Sequence, residues 1–463
     1  MEALKGYPSY RNSGLPWLGA IPEHWDVRRN GRLFAERVET GFEDLPILEV
    51  SLRTGVRVRD MENGARKQQM ADRSKYKRAA KGDVAYNMMR MWQGAVGVAP
   101  VDGLISPAYV VARPFPEVDP RFYTYLFRTS AYMREVNKFS RGIVSVRNRL
   151  YWDEFKQMPS AFPPTDEQTH IADFLDDHGR RTTRLIRNKR RLIGLLNEQK
   201  QAIINRAVTR GLNPNTKLEP TGLYWMPNVP SGWRLKRFKF LARIRQGQVD
   251  PRLSEHKDKI LIAPNHIASA SGEIHSFESA QSQGADSGKY EVSAGEIVYS
   301  KIRPHLRKAA ISPVDGLCSA DMYPIKPNNS EVLSEFFLKL LLSYEFTTYA
   351  VDCSMRVAMP KINREALGDC WLAYPGIDEQ REILAWIHDQ TRPLQEAKKR
   401  ADQEIRLIQE YRERLIADVI TGKLDVRHIE IVASADEPIA DEDDALDEDL
   451  EAEDTDELAE ALD

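Results

Sequence analysis

The chain carries one set of short blocks twice, in the same order. Pro100-Val101-Asp102-Gly103-Leu104 returns as Pro313-Val314-Asp315-Gly316-Leu317. Gly14-Leu15, Trp17, Pro22 and Trp25 return as Gly222-Leu223, Trp225, Pro230 and Trp233. Asp166-Glu167-Gln168 returns as Asp378-Glu379-Gln380. The offset is 208 at the tryptophan block, 213 at the Asp-Gly block and 212 at the Asp-Glu-Gln block, so only loops differ in length. A period near 210 is far longer than that of a solenoid repeat. The pattern is a duplicated domain, and a chain of 463 residues with 42% apolar content can fill two cores. Something is to be held or read twice.

Each half begins with about 160 residues of mixed character. Pro46 to Val50 and Lys259 to Ala263 are matching strand candidates, as are Gly82 to Tyr86 and Gly295 to Tyr299. Segments 121–138 and 333–350 have helical composition, so each globular part is expected to be α+β. A helical part follows. Pro163-Pro164 and Pro375-Gly376 stop the domain, and Asp166 and Asp378 are placed to cap a helix. Gly179 and Pro393 then predict a break, giving a short helix and a long one over roughly 180–210 and 393–422. Leu394, Ala401, Ile408 and Leu415 stand at sevenfold spacing, with Ile405 and Val419 alongside; Leu185, Leu192, Ile193, Leu196 and Ile203 form a similar seam. Narrow seams of this kind suit an antiparallel coiled coil of the two helices. The expected order is a globular domain over 1–162, a helical spacer over 163–212, a second globular domain over 213–375, a second spacer over 376–425 and a tail over 426–463.

The formal net charge of −3 hides a strong polarity. Residues 436–463 hold 16 acidic side chains and no basic one, leaving 66 basic against 53 acidic elsewhere. A basic body suits a polyanion partner. The tail has the composition of a disordered segment, either a solubilising tail or a phosphate mimic competing for the basic surface. Three dispersed cysteines (Cys318, Cys353, Cys370) suggest a reducing compartment, and the absence of a long apolar run or signal segment suggests a cytoplasmic protein with no membrane partner.

Basic residues cluster with amides and aromatics. The candidates in the first half are Arg53, Arg57, Lys75, Lys77, Arg78, Asn87, Arg90, Trp92, Gln93 and Arg147. Those in the second are Asn265, His266, Ser300, Lys301, Arg303, His305, Arg307, Arg356 and Lys361. Asn, Gln and Arg can make bidentate contacts to base edges. Arg90 and Arg303 coincide at the offset of 213 while their neighbours differ. A shared arginine suits phosphate positioning, and divergent neighbours suit reading different bases. Chemistry-bearing motifs are missing: there is no P-loop, no His-Glu-x-x-His and no histidine cluster among the nine histidines. Glu154-Phe155-Lys156 has the Glu-x-Lys form of some nucleases, but its counterpart Glu365-Ala366-Leu367 lacks the lysine.

These blocks resemble the specificity subunit of type I restriction–modification enzymes. The residues that carry the likeness are Ser13 to Gly19 through Pro22 and Trp25, Tyr86 to Gly94, Ser106 to Val110, and Pro163 to Gln168, each with its second copy. The resemblance spans residues 1 to about 425 and leaves the acidic tail unexplained. It implies two target-recognition domains, related by approximate twofold symmetry and joined by an antiparallel coiled coil. Each would read one part of a bipartite site in double-stranded DNA, with the helices setting the gap. It further implies that two methyltransferase subunits dock on the helices, for which Leu192, Leu196, Ile203, Leu394, Ile405, Ile408 and Leu415 are the candidates, and that motor-nuclease subunits join them. S-adenosylmethionine, ATP and magnesium would sit on those partners, and this chain would hold no cofactor, no metal and no catalytic residue. The rival readings are a stand-alone nuclease or methyltransferase, a coiled-coil scaffold that binds only proteins, and the recognition subunit of a related methylation or phage-defence system. A scaffold would show no steeply salt-dependent affinity for duplex DNA.

Overall fold

The structure is a computed structural model describing residues 5–52, 54–59, 73–141, 148–354 and 360–431. It divides into two compact units, residues 1–188 with 404–463 and residues 189–403. Unit 1 is built on an antiparallel sheet in the order Phe34–Glu36, Tyr109–Pro114, Val84–Asn87, Val96–Val98. Unit 2 repeats it as Ala242–Ile244, Met322–Pro327, Ile297–Ser300, Ala309–Ile311. All four residues of Val84–Asn87 and of Ile297–Ser300 are buried. Side chains of a strand alternate between faces, so a fully buried strand needs cover on both. In unit 1 Val84 and Tyr86 enter a core with Phe122, Leu126 and Phe127 of the helix Pro120–Phe127. Ala85 faces the other way, onto Leu48, Val50 and Ile105. Unit 2 does the same: Ile297 and Tyr299 join Phe336 and Phe337 of the helix Ser334–Leu341, while Val298 joins Ile262 and Cys318.

The repeated blocks turn out to be the frame. Asp102 accepts a hydrogen bond from the Lys81 amide at 2.8 Å, and Asp315 accepts one from the Ala294 amide at 2.8 Å. The glycine after each aspartate has no room for a side chain. A Cβ on Gly103 would lie 2.8 Å from the Pro46 carbonyl oxygen, and one on Gly316 2.6 Å from that of Ile260. The indoles of Trp25 and Trp233 each donate to a helix glutamate, Glu167 and Glu379, at 3.0 Å. Gln168 and Gln380 are fully buried, and each joins its helix to the domain through three bonds. Gln168 accepts from the Asp119 amide and donates to the carbonyls of Glu117 and Pro163. Gln380 accepts from the Leu333 amide and donates to the carbonyls of Glu331 and Pro375. Buried polar groups need such partners, so the Asp-Glu-Gln block welds helix to sheet.

The long helices differ from expectation. They run unbroken over Thr165–Arg210 and Ile377–Ile420, with Gly179 and Pro393 inside them. A glycine costs a helix about 1 kcal/mol, too little to break one that is anchored by packing at both ends. Pro393 is exposed, so its lost hydrogen bond leaves a carbonyl that water can satisfy. Asp166 and Asp378 lie within the first turn rather than at the cap, and Asp378 pairs with Arg381 at 2.8 Å. In unit 1 the opening turns of the first long helix (Ile171, Leu175) share a core with the closing turns of the second (Leu415, Val419, Ile420). In unit 2 the closing turns of the first (Ile204, Val208) share one with the opening turns of the second (Ile383, Ile387). Start meets end in each unit, which is the antiparallel arrangement the seams predict.

Cys318 and Cys370 are buried and Cys353 is exposed. Burial pushes the Cys318 thiol up to about 12 and raises that of Cys370 as well. A thiol held protonated and out of reach is unreactive. A thiol-exchange reagent is therefore expected to titrate one cysteine in the native protein and three after denaturation. Rapid reaction of two or more in the native state would contradict the fold.

Candidate nucleic-acid interface

In each sheet the strand Val84–Asn87 or Ile297–Ser300 is joined to the edge strand beside it by a connection that differs between copies. In unit 2 this is Lys301 to Lys308. Arg303 and Arg307 both adopt left-handed backbone (φ 47° and 48°), a conformation that side chains other than glycine rarely take. The strain is held by neighbours. The Arg303 amide donates to Pro360 O at 3.0 Å, the Ile362 amide to Lys301 O at 2.9 Å, and the Ala270 amide to Arg307 O at 3.1 Å. The Lys308 ammonium donates to Pro264 O at 2.7 Å. Three segments distant in sequence, around 264–270, 301–308 and 360–364, are thereby tied into one surface. Asn265, Arg303, His305 and Lys361 are exposed on it. The side chains of Arg303 and Lys361 make no ion pair or hydrogen bond to any described residue. Lys301 faces the Tyr323 ring at 5.6 Å, and the Arg307 guanidinium covers the Tyr344 ring at 4.7 Å. Ser300 and His266 are buried and serve the frame: Ser300 donates to Ile302 O at 3.0 Å, and His266 Nδ1 accepts from the Ala263 amide at 3.2 Å.

Unit 1 has the corresponding connection, Met88 to Gly94, pinned in the same way. The Leu150 amide donates to Met88 O at 2.9 Å, the counterpart of Ile362 on Lys301. Asn87 is buried and its side chain accepts from the Met89 amide at 2.9 Å, while the Trp92 indole donates to Met89 O at 2.9 Å. Arg90 is half-buried, and Gln93 and Lys75 are exposed. The remaining basic candidates are engaged inside the unit. Arg57 pairs with Glu49 at 2.6 Å, and Arg78 pairs with Glu39 at 3.1 Å and Asp102 at 2.8 Å. Lys77 donates to Tyr109 O at 2.9 Å, and burial lowers the pKa of its ammonium. A cation already neutralised offers less to a phosphate. Arg53, Arg147 and Arg356 lie outside the described residues.

Two exposed aromatics beside these loops are not among the sequence candidates: Tyr151, next to Leu150, and Tyr344, under Arg307. Arg364 was missed as well; its guanidinium lies over Tyr323 at 4.8 Å and Tyr290 at 5.3 Å. Closeness of Arg364 to the Lys361 cluster was the available signal. Glu154 pairs with Arg141 at 2.6 Å and Lys156 with Asp153 at 2.5 Å, so the Glu-x-Lys pair is split between other partners. Among the described residues no group of His, Cys, Asp and Glu is placed to hold a metal ion.

On the long helices, Leu415 is buried in the core of unit 1, whereas Leu192 is exposed and Leu196, Ile203, Leu394, Ile405 and Ile408 are half-buried. The most exposed apolar side chains lie off the sevenfold seam: Leu407 at 62%, Leu195 at 53% and Tyr411 at 51%. The sevenfold seam includes the outward-facing Leu192 but passes over these three side chains.

No protein-family profile matches the chain. Its sequence is similar to the type I restriction enzyme EcoDI specificity subunit of Escherichia coli, with 29% identity over 279 residues, 57% of this chain and 62% of that relative. The match thus spans less than two thirds of the relative's length. Its fold is that of a chain solved in work on complex assembly and conformational transition of the type I R-M system: the TM-score is 0.62 at 14% identity, over 87% of this chain and 99% of that one. The HsdS subunit of Thermoanaerobacter tengcongensis gives a TM-score of 0.45 at 15% identity, over 87% of this chain and 98% of that one.

Proposed function

We propose that this chain is the DNA-reading subunit of a type I restriction–modification complex. Each unit reads one part of a bipartite target, the long helices set the unread interval, and their outward apolar faces seat methyltransferase subunits, to which motor-nuclease subunits add. The observation that carries this reading is one frame built twice, bearing chemically different connections at the same place. Arg90 and Arg303 occupy equivalent positions between a central strand and the edge strand of their sheets, while Trp92-Gln93 in one copy answers His305-Leu306 in the other. The similarity to a specificity subunit supports it.

Arg303 and Lys361 neutralise backbone phosphates and release counterions. Asn265 and Gln93, exposed on the same surfaces as the cations, offer paired donor and acceptor groups to base edges. Arg307 stacked on Tyr344 and Lys301 on Tyr323 stiffen the loop and keep it from collapsing onto the sheet. The chain binds and orients; methyl transfer from S-adenosylmethionine and ATP- and magnesium-dependent steps belong to the partner subunits. Cytoplasmic residence fits this role, and no described helix is long and apolar enough to cross a membrane.

The test is the double variant Arg303→Ala, Lys361→Ala in the assembled complex. Affinity for duplex DNA is expected to fall about tenfold or more at physiological salt, for cognate and non-cognate sequence alike. The salt slope should flatten by about 2, since each phosphate contact contributes roughly 0.9. An unchanged slope would overturn the assignment of these residues.

A further inference from the structure

Two features of unit 1 have no part in DNA reading as described above. The first is a stretch of the first long helix. Between Asp177 and Lys189 it carries four arginines, Arg180, Arg181, Arg184 and Arg187, and no acidic residue. Arg181 is paired with Asp177 at 2.9 Å. Arg184 and Arg187, one turn apart, are exposed and make no ion pair or hydrogen bond to any described residue. At 3.6 residues per turn they lie opposite Thr182 and Ile186, which are buried. Leu185 is 46% exposed and lies about 100° round the helix from Arg184, on the side away from Arg187. Like charges on adjacent turns repel one another and weaken a bare helix, so this face gains from an anion.

The second feature is the acidic segment. Residues 436–463 hold 16 carboxylates and no cation, with Leu446 and Leu450, then Leu458 and Leu462, spaced four apart. They lie outside the described residues, but the point from which they depart is fixed. Val426 is buried in the core of unit 1, and its carbonyl accepts from His170 Nε2 at 2.9 Å. The Asp425 amide donates to Lys5 O at 2.8 Å, which holds the chain there a second time. His170 and Arg184 stand on the same helix, roughly 21 Å apart along its axis at 1.5 Å per residue. The Ile429 amide closes a turn onto Val426 O at 3.0 Å and Ile429 packs on the core, so the free chain starts there, and the seven residues from Ile429 to Asp436 span up to about 23 Å. The acidic segment, 28 residues long, therefore reaches the arginine face, and its charge is opposite to that of the face.

We propose that residues 436–463 dock in cis on the Arg184–Arg187 face of the first long helix, carboxylates against guanidiniums. The segment then keeps stray polyanions off a basic rod that carries no sequence information, and leaves the loops of the units to select DNA.

The test uses the full chain without DNA, so its outcome does not depend on whether the chain reads DNA. A donor–acceptor dye pair is placed on cysteines introduced by Asn188→Cys and Thr455→Cys, with Cys353→Ser to remove the exposed native thiol. Efficient energy transfer is expected at low salt. It should fall by half or more at high salt, as the screening length shrinks from about 10 Å at 0.1 M toward about 3 Å at 1 M. Adding Arg184→Glu and Arg187→Glu should abolish the low-salt signal, and Arg184→Gln with Arg187→Gln should lower it, each with helicity retained by circular dichroism. The glutamine pair preserves the test should the glutamates disturb folding. Low transfer in the parent chain at low salt, or transfer that ignores both pairs of substitutions, would overturn the proposal.

Discussion

Gly422→Ala is expected to unseat the end of the second long helix from Pro22 and Trp25 within unit 1. Gly422 has φ +76°, and an added Cβ would lie 2.4 Å from Pro22 Cδ and 3.1 Å from the Trp25 ring. Both neighbours belong to the repeated tryptophan block, and Trp25 is fully buried with its indole bonded to Glu167. The substitution combines left-handed strain with overpacking, together costing about 3 kcal/mol or more. Gly211, where the first long helix ends, is the natural control. Its φ is +70°, but the nearest atoms to an added Cβ are 3.5 Å away, at Glu379 and Trp233. Gly211→Ala should therefore cost only the conformational term, about 1–2 kcal/mol. Denaturant titration of the two variants checks the order. Equal destabilisation would mean that the helix end does not sit on Pro22 and Trp25 as described.

Exchanging residues 40–157 for the equivalent segment of another specificity subunit should change one half of the DNA target and leave the other intact. The joins fall outside the strands Phe34–Glu36 and Pro159–Phe162, and the incoming segment brings its own three sheet strands together with its counterparts of Glu117 and Asp119, to which Gln168 bonds. The exchanged part carries the connection Met88 to Gly94 but none of the residues around Asn265, Arg303 and Lys361. Each lost base contact costs about 1–3 kcal/mol, so a half-site of several base pairs should lose affinity by about a thousandfold or more. Mapping methylated sites made by the chimeric complex gives the answer. A change in both halves would show that the units do not read independently.

Much of the frame was legible in the sequence because its causes are local. Runs such as Val84-Ala85-Tyr86 and Ile297-Val298-Tyr299 are strand-forming whatever surrounds them. The repeated blocks gave the duplication, although their physical role, as turns and welds in a scaffold, needed the structure. The predicted break at Gly179 and Pro393 was wrong because a local propensity of a few kcal/mol competes with packing that anchors each helix at both ends. The interface was only partly legible. Composition marks Arg57, Arg78 and Arg303 alike as basic, but Glu49, Glu39 and Asp102 neutralise the first two from distant positions in the chain. The convergence of Asn265, Arg303 and Lys361 depends on backbone bonds from Ala270 and Ile362 that no spacing rule reveals. The outward apolar side chains Leu407 and Tyr411 escaped notice because the sevenfold pattern follows the buried seam, which ends at Leu415.

The most direct measurement is a nuclease or hydroxyl-radical footprint of the assembled complex on its own target DNA. Two protected patches of different sequence, separated by an interval of fixed length that tolerates any base, are expected. Lengthening that interval by a few base pairs should abolish binding. A single continuous protected motif, or tight binding that ignores the length of the interval, would contradict the account.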